Sequence, residues 1–166
     1  MKTFQFQAFG QYRESELAST LKRRDCKDAT DLILTGGGGE MNDEENLVVR
    51  RITPLECERL QGFPDGWTDI GEWTDTKGKV HKESSDSARY KALGNSIATP
   101  FWFYLLRRIA AQYERPATLG SLFDGIGGFP YCWERCNGKG TAIWASEIEE
   151  FPIAVTKVHF PEEQWG

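Results

Sequence analysis

The sequence predicts an α/β fold, and two kinds of local pattern support that prediction. Threonine followed by proline, at residues 53–54 and 99–100, marks two helix starts, because the first amides of a helix need no helical partner. Between residues 118 and 146 a strand, a glycine loop, a helix and a second strand follow one another, as in a βαβ-like half unit. With 166 residues the chain is long enough for one domain with a core.

The first third of the chain gives weaker signals. Short strands are expected at 31–34 and 47–50, and residues 36–45 read as a flexible acidic loop that starts with four glycines. Residues 67–87 are polar and contain tryptophan, which predicts an irregular loop. These segments therefore indicate connections around the better-defined helices.

The two predicted helices have clear boundaries. Thr53 and Glu56 have the spacing of a capping box, and Gly62 is expected to end that helix. Thr99 is expected to cap the next helix, which begins with six apolar residues at 101–106. This apolar run predicts a helix that is buried on most sides, followed by a linker at Pro116.

Composition excludes several classes of protein. The net charge of -5 differs from the basic character of a stand-alone nucleic-acid binder. No apolar run approaches the roughly 20 residues of a membrane span, and the N-terminus is polar, so we expect a soluble cytoplasmic protein without a membrane partner.

Four cysteines without C-x-x-C pairing are expected to be reduced thiols. Cys57, Cys132 and Cys136 are interpreted as small buried hydrophobic residues. The two histidines lack metal-ligand spacing, so we expect surface residues and no metal site.

The glycine loop has the outline of a nucleoside site. Asp124-Gly125-Ile126-Gly127-Gly128 follows a predicted strand, and Glu147 ends the next strand about 20 residues on, where an acidic group binds ribose hydroxyls. The adjacent second and third glycines leave less room for a pyrophosphate than the dinucleotide pattern, which favours S-adenosylmethionine. A plain strand–turn–helix joint is the alternative.

Three blocks of the chain resemble the DNA cytosine-5 methyltransferases. Residues 122–129 read Leu-Phe-Asp-Gly-Ile-Gly-Gly-Phe and resemble the first block of that family. Residues 51–64, which include Thr-Pro-Leu-Glu-Cys, resemble the penultimate block, and residues 89–96, Arg-Tyr-Lys-Ala-Leu-Gly-Asn-Ser, resemble the last. Residues 10–33 also resemble the segment before the penultimate block in phage-type members. The closing blocks precede the opening one here, so the resemblance implies a partial, circularly permuted S-adenosylmethionine-dependent methyltransferase fold of the Rossmann-like type.

The resemblance implies a role for each matching residue. Phe123 would stack on the adenine, Glu147 would bind the ribose, and Asn95 and Ser96 would close the pocket. The predicted cofactor-binding set, including the loop backbone, is Phe123, Asp124, Gly125, Ile126, Gly127, Gly128, Glu147, Ile148, Asn95 and Ser96.

The catalytic nucleophile of the family is missing from this sequence. The family's nucleophile is a cysteine in a Pro-Cys dipeptide, which attacks a flipped cytosine, and no Pro-Cys occurs here. We therefore predict no catalytic residue in this chain. The strand at 118–123 would also lack the neighbour that carries the Pro-Cys loop, so a second polypeptide, or a second copy, is expected to pair with it.

These observations divide the chain into three parts. Residues 1–50 are interpreted as an edge of the DNA-recognition domain, 51–115 as the closing-block helices, and 116–166 as the N-terminal half of the cofactor sheet. The leading hypothesis is one subunit or fragment of a restriction–modification-type DNA cytosine-5 methyltransferase that binds S-adenosylmethionine and reaches DNA through an assembled complex. A non-catalytic remnant, a regulatory cofactor- or partner-binding protein, and a gene fragment remain alternatives.

Overall fold

An antiparallel sheet precedes the helices in the computed structural model, which describes the backbone of residues 2–8, 11–15, 32–36 and 47–165 and the side chains of residues 50–165. The strand order is β2-β1-β3-β4. The strands expected near residues 31–34 and 47–50 are confirmed, whereas most of the predicted acidic loop and Cys26 lie outside the described residues. The strands are β1 (Lys2–Ala8), β2 (Gln11–Ser15), β3 (Leu32–Gly36) and β4 (Leu47–Arg51).

Helix α1 (Pro54–Gln61) begins and ends as its sequence predicts. The Thr53 hydroxyl accepts the Glu56 N–H at 3.3 Å, and the Glu56 carboxylate accepts the Thr53 N–H at 2.8 Å. Gly62 ends the helix at φ 78°, a left-handed conformation that glycine adopts without steric cost. The capping box and the glycine stop are therefore both confirmed.

Two expectations about helix α3 (Thr99–Ala110), which follows α2 (Asp86–Gly94), are wrong. Ala98 occupies the N-cap position, and the Thr99 hydroxyl instead donates to the Gln61 carbonyl at 2.9 Å. The helix is also not buried on most sides: Phe101 is 59% exposed. The face around Leu106 packs against the cluster that contains Cys132 and Trp133, whereas Phe101 and Tyr104 are exposed.

The segment expected to be irregular contains a short hairpin. Strands β5 (Trp73–Thr74) and β6 (Val80–His81) pair antiparallel. The Asp75 carboxylate accepts the N–H groups of Lys77 and Lys79 and so closes the turn. A side chain that bonds the turn amides therefore orders a stretch that lacks an apolar pattern.

The C-terminal part is a parallel sheet of order β7-β8-β9 with helices between the strands. This architecture confirms the α/β prediction. Strand β9 was not predicted, because two residues carry no periodicity. The elements are β7 (Leu119–Leu122), α4 (Gly128–Asn137), β8 (Ala142–Ser146), α5 (Glu150–His159) and β9 (Gln164–Trp165).

A hydrophobic core joins the first helices to the glycine loop and α5. Cys57 and Cys132 are fully buried, as predicted, and Cys136 is half-buried. His159 was expected on the surface, but its ring stacks on Trp67 at a centroid distance of 3.6 Å, because both elements pack into the core. The main cluster combines Ile52, Cys57, Phe63, Trp67, Ala92 and Leu93 with Ile126, Phe151, Val155 and Phe160.

Among the described residues, no helix is both long and apolar enough to cross a membrane.

Candidate cofactor site

The loop between β7 and α4 contains three left-handed residues in five positions. Phe123 has φ 55°, Gly125 φ 61° and Gly127 φ 78°. Phe123 is the one non-glycine residue with positive φ in the described part of the chain, and this conformation costs free energy for a bulky side chain. The loop is therefore a strained turn that redirects the chain sharply at the carboxyl end of a parallel strand.

The glycines differ in what a side chain would meet. A Cβ atom at Gly127 would lie 2.8 Å from the Phe160 ring, and one at Gly128 would lie 2.8 Å from Ile97 Cγ1. A Cβ atom at Gly125 would meet no described atom within 4 Å. The last two glycines thus permit close packing of the protein itself, whereas Gly125 faces open space where a ligand could approach.

Glu147 connects the two strand ends. Its Oε2 accepts the Gly125 N–H at 2.8 Å, and its Oε1 accepts the N–H groups of Ile148 at 2.7 Å and Glu149 at 3.0 Å. Because a carboxylate oxygen can accept two hydrogen bonds, Oε2 keeps capacity for a ribose hydroxyl. The acidic residue predicted from spacing therefore lies beside the glycine loop and already orders it.

Two apolar side chains project at the ends of the adjacent strands. Phe123 is 81% exposed and Ile148 is 85% exposed. Strands β7 and β8 are parallel, with Leu122 opposite Ser146, so their carboxyl ends meet at one edge of the sheet. Ligands of open α/β sheets bind at this edge. The two exposed side chains are thus placed to contact a planar ligand.

Asp124 occupies a different environment from the other predicted residues. Its side chain is only 4% exposed, and burial raises the pKa of the carboxyl group to about 6. Ser121 and Thr156 lie near enough to hold the pKa down in part, but neither carboxylate oxygen has a hydrogen bond of ordinary geometry within the described residues. The side chain therefore lies behind the loop, away from the exposed ligand side.

Asn95 and Ser96 lie at the end of α2, close to the loop. The next residue, Ile97, packs so closely on Gly128 that no Cβ atom would fit between them. A groove of about 970 Å³ is lined by both Asn95 and Ile148, but by no residue of the glycine loop. Its remaining wall comes from α2, the β5–β6 hairpin and the start of α5, so the groove extends beyond the predicted set. The groove therefore brings together Asn95 and Ile148 of the predicted set, whereas Asp124 lies apart from it, and the assignment of the set to a cofactor stays a prediction.

Two contacts of the loop were missed from the sequence. The Trp67 indole N–H donates to the Ile126 carbonyl at 2.8 Å, and the Thr156 hydroxyl donates to the Gly125 carbonyl at 3.1 Å. Trp67 lies in the stretch expected to be an irregular loop, and Thr156 lies on α5. No motif marks either residue, because these contacts depend on how distant segments pack.

No cluster of three potential metal ligands is present in the part of the chain with described side chains.

Comparison with known proteins identifies the family. The model of the C-5 cytosine-specific DNA methylase family matches residues 3–111. The match ends before the glycine loop, so the permuted order is not part of it. Similar proteins include a "DNA N-6-adenine-methyltransferase" of Escherichia phage P1, 32% identical over 66% of this chain and 24% of that protein.

Two further relatives are named as type II methyltransferases. M1.ScrFI of Lactococcus lactis subsp. cremoris is 32% identical over 60% of this chain and 20% of its own length. M.NlaX of Neisseria lactamica is 30% identical over 67% of this chain and 27% of its own length. The chain thus spans between 20% and 27% of these three relatives. Since the family model covers well over half of the residues, the chain belongs to the C-5 cytosine-specific DNA methylase family.

Proposed function

We propose that this chain is the cofactor-holding subunit of a DNA cytosine-5 methyltransferase and binds S-adenosylmethionine at the β7–α4 loop. The observation that carries the proposal is the convergence of Phe123, Glu147 and Ile148 at the carboxyl edge of a parallel sheet, beside an open face at Gly125. Membership of the methylase family supports the same ligand. The cofactor would supply the methyl group for the reaction.

The residues fit the parts of this ligand. The exposed Phe123 ring would pack on the adenine, with Ile148 on the opposite side. Glu147 would accept a ribose hydroxyl, and Asn95 would border the methionine end from α2. Because the Gly125 and Gly127 N–H groups already bond to Glu147 and to the Asp124 carbonyl, the loop is ordered before any ligand binds.

A second polypeptide would carry the Pro-Cys nucleophile, because this sequence contains none. Within the described residues β7 pairs with β8 along one side only. Leu122 at its end is 63% exposed, and α3 exposes Phe101 and Ile109. An open parallel strand edge that ends in an exposed leucine suits an added strand of a partner rather than solvent. DNA would be reached through that assembled complex.

Calorimetric titration with S-adenosylmethionine tests the cofactor site. We expect the wild-type chain to bind and Phe123→Ala to lower the affinity by about 5-fold or more, since stacking on an aromatic ring contributes roughly 1–3 kcal/mol per base. Phe101→Ala is the matched control, because it removes a similarly exposed phenylalanine on α3. Its affinity should equal that of the wild type.

A wild-type chain that shows no binding, with the Pro-Cys polypeptide present as well as absent, would refute the proposal. That polypeptide is sought by pull-down from the native host with mass spectrometry. Transfer of labelled methyl groups to DNA should then require both polypeptides. Methyl transfer by this chain alone would contradict the assignment of the nucleophile to a partner.

A further inference from the structure

The glycine loop needs restraints from outside itself. Its left-handed residues alternate with ordinary ones, so small changes in backbone angle would move the open face at Gly125. Three restraints come from elements next to the loop: the Ser146 carbonyl accepts the Asp124 N–H at 3.0 Å, Glu147 accepts the Gly125 N–H, and Thr156 donates to the Gly125 carbonyl. All three act on the first half of the loop.

The second half is held by Trp67, which lies 59 residues earlier in the chain. Its indole N–H donates to the Ile126 carbonyl at 2.8 Å, and both residues are buried. A buried carbonyl that loses its donor is destabilised, because no water replaces the bond. The hydrogen bond therefore fixes the direction of the peptide between Ile126 and Gly127, immediately before α4.

The Trp67 ring is itself immobilised. It is stacked on His159 with an interplanar angle of 4°, and His159 Nε2 lies 2.8 Å from the Trp67 carbonyl. Phe63, Tyr131 and Phe160 surround it at centroid distances of 5.0 to 6.1 Å. An indole held on several sides presents its N–H in one direction, so the restraint on the loop is rigid.

We propose that Trp67 is a positioning residue for the cofactor loop, and that its hydrogen bond to Ile126 sets the affinity for S-adenosylmethionine. The inference rests on the proposed function, since it concerns the same site. Trp67 follows the segment 51–64 and belongs to the region that the family model matches, whereas the loop lies beyond that match. Trp67 thus couples the two regions at the cofactor site.

The chain contains a matched control in Trp133. This tryptophan is also buried and donates its indole N–H to a backbone carbonyl, that of Ala117 at 3.1 Å, in the cluster beneath α3. Trp67→Phe and Trp133→Phe each keep a ring and remove one indole donor. Trp133→Phe should lose no more stability than Trp67→Phe in urea unfolding, because the Ala117 carbonyl is part-buried whereas the Ile126 carbonyl is buried.

Calorimetry with S-adenosylmethionine separates the two variants. Trp67→Phe should bind about 5- to 10-fold more weakly than the wild type, the fold-change of one hydrogen bond, and Trp133→Phe should stay within about twofold. Equal affinities of Trp67→Phe and the wild type would overturn the inference while leaving the proposed function intact. No binding by the wild type, with the Pro-Cys polypeptide present as well as absent, would overturn the proposed function, and this inference with it.

Nuclear magnetic resonance of the ¹⁵N-labelled wild-type chain keeps the test decisive if Trp67→Phe fails to fold. The sequence has six tryptophans and hence six indole N–H groups. Addition of S-adenosylmethionine should shift the Trp67 indole resonance, identified by its contacts to the His159 ring, and leave that of Trp133 in place. A saturating ligand that moves neither resonance would contradict the inference.

Discussion

Buried carboxylates in two regions of the molecule differ in their hydrogen-bond partners. In the helical region, residues 50–96, the fully buried Glu58 accepts the N–H groups of Gly66 and Thr68, the Thr68 hydroxyl and one nitrogen of Arg89. In the loop region, residues 118–165, Asp124 and Glu163 are buried, and none of their carboxylate oxygens has a hydrogen-bond partner in the described part of the chain.

The contrast distinguishes a region that stabilises the fold from a region that contains strained and unsatisfied groups. Fully satisfied buried charges fix a structure, whereas unsatisfied ones and strained backbone persist at sites that the surrounding fold holds in place. The loop region also carries Phe123, a large exposed side chain in a left-handed conformation. We infer that the helical region supports the fold and that the loop region contains the strained part, where the proposed ligand site lies.

The largest effect should come from breaking the satisfied network. Glu58→Ala leaves Arg89, which is 9% exposed, without its most buried partner, and should lower the free energy of unfolding by about 3 kcal/mol. Urea unfolding followed by circular dichroism measures the loss. Asp65→Ala removes the exposed ion pair with Arg59 and should have little effect. Similar losses in both variants would erase the distinction between the regions.

A smaller change in stability should occur with pH, and it should arise in the loop region. Burial, with repulsion from Asp124 and Glu134, raises the pKa of Glu163 to about 7. A carboxyl group whose pKa is raised in the folded state contributes stability below its ordinary pKa and loses it as pH rises through the folded value. The contribution of Glu163 to the wild-type free energy of unfolding should therefore fall by roughly 1–3 kcal/mol between pH 4 and pH 8.

Glu163→Gln isolates that contribution. The difference in unfolding free energy between variant and wild type should shift in favour of the variant as pH rises from 4 to 8. Burial lowers the pKa of His159, so this residue makes stability fall as pH drops below its ordinary pKa. Because His159 is present in both proteins, its effect cancels in the comparison. Glu162→Gln, at an exposed neighbour, is the control. A pH-independent difference for Glu163→Gln would show that its carboxyl group is not penalised by burial.

The smallest effect on stability should be a gain. Phe123→Gly removes a bulky side chain from a left-handed position, so the free energy of unfolding should stay equal or rise by about 1 kcal/mol, although affinity for S-adenosylmethionine should fall. Thermal unfolding and calorimetry on the same samples measure the two quantities. A marked loss of stability would mean that the Phe123 side chain supports the fold instead of a ligand.

Local chemistry in the sequence determined the elements whose signals are short-range. The capping box of Thr53 and Glu56, the glycine stop at Gly62, the parallel unit around the glycine loop and the acidic Glu147 were all predicted from spacing, since each depends on residues close in the chain. The family was also identified from short blocks, and the family match confirms it.

Tertiary packing decided the rest. The exposure of α3, the replacement of its expected Thr99 cap by a contact to Gln61, the two-residue strand β9 and the burial of His159 each depend on which distant surface lies opposite. The same holds for the hydrogen bond from Trp67 to the loop. Local propensities act over a few residues, whereas burial and long-range hydrogen bonds depend on how whole elements are arranged in space.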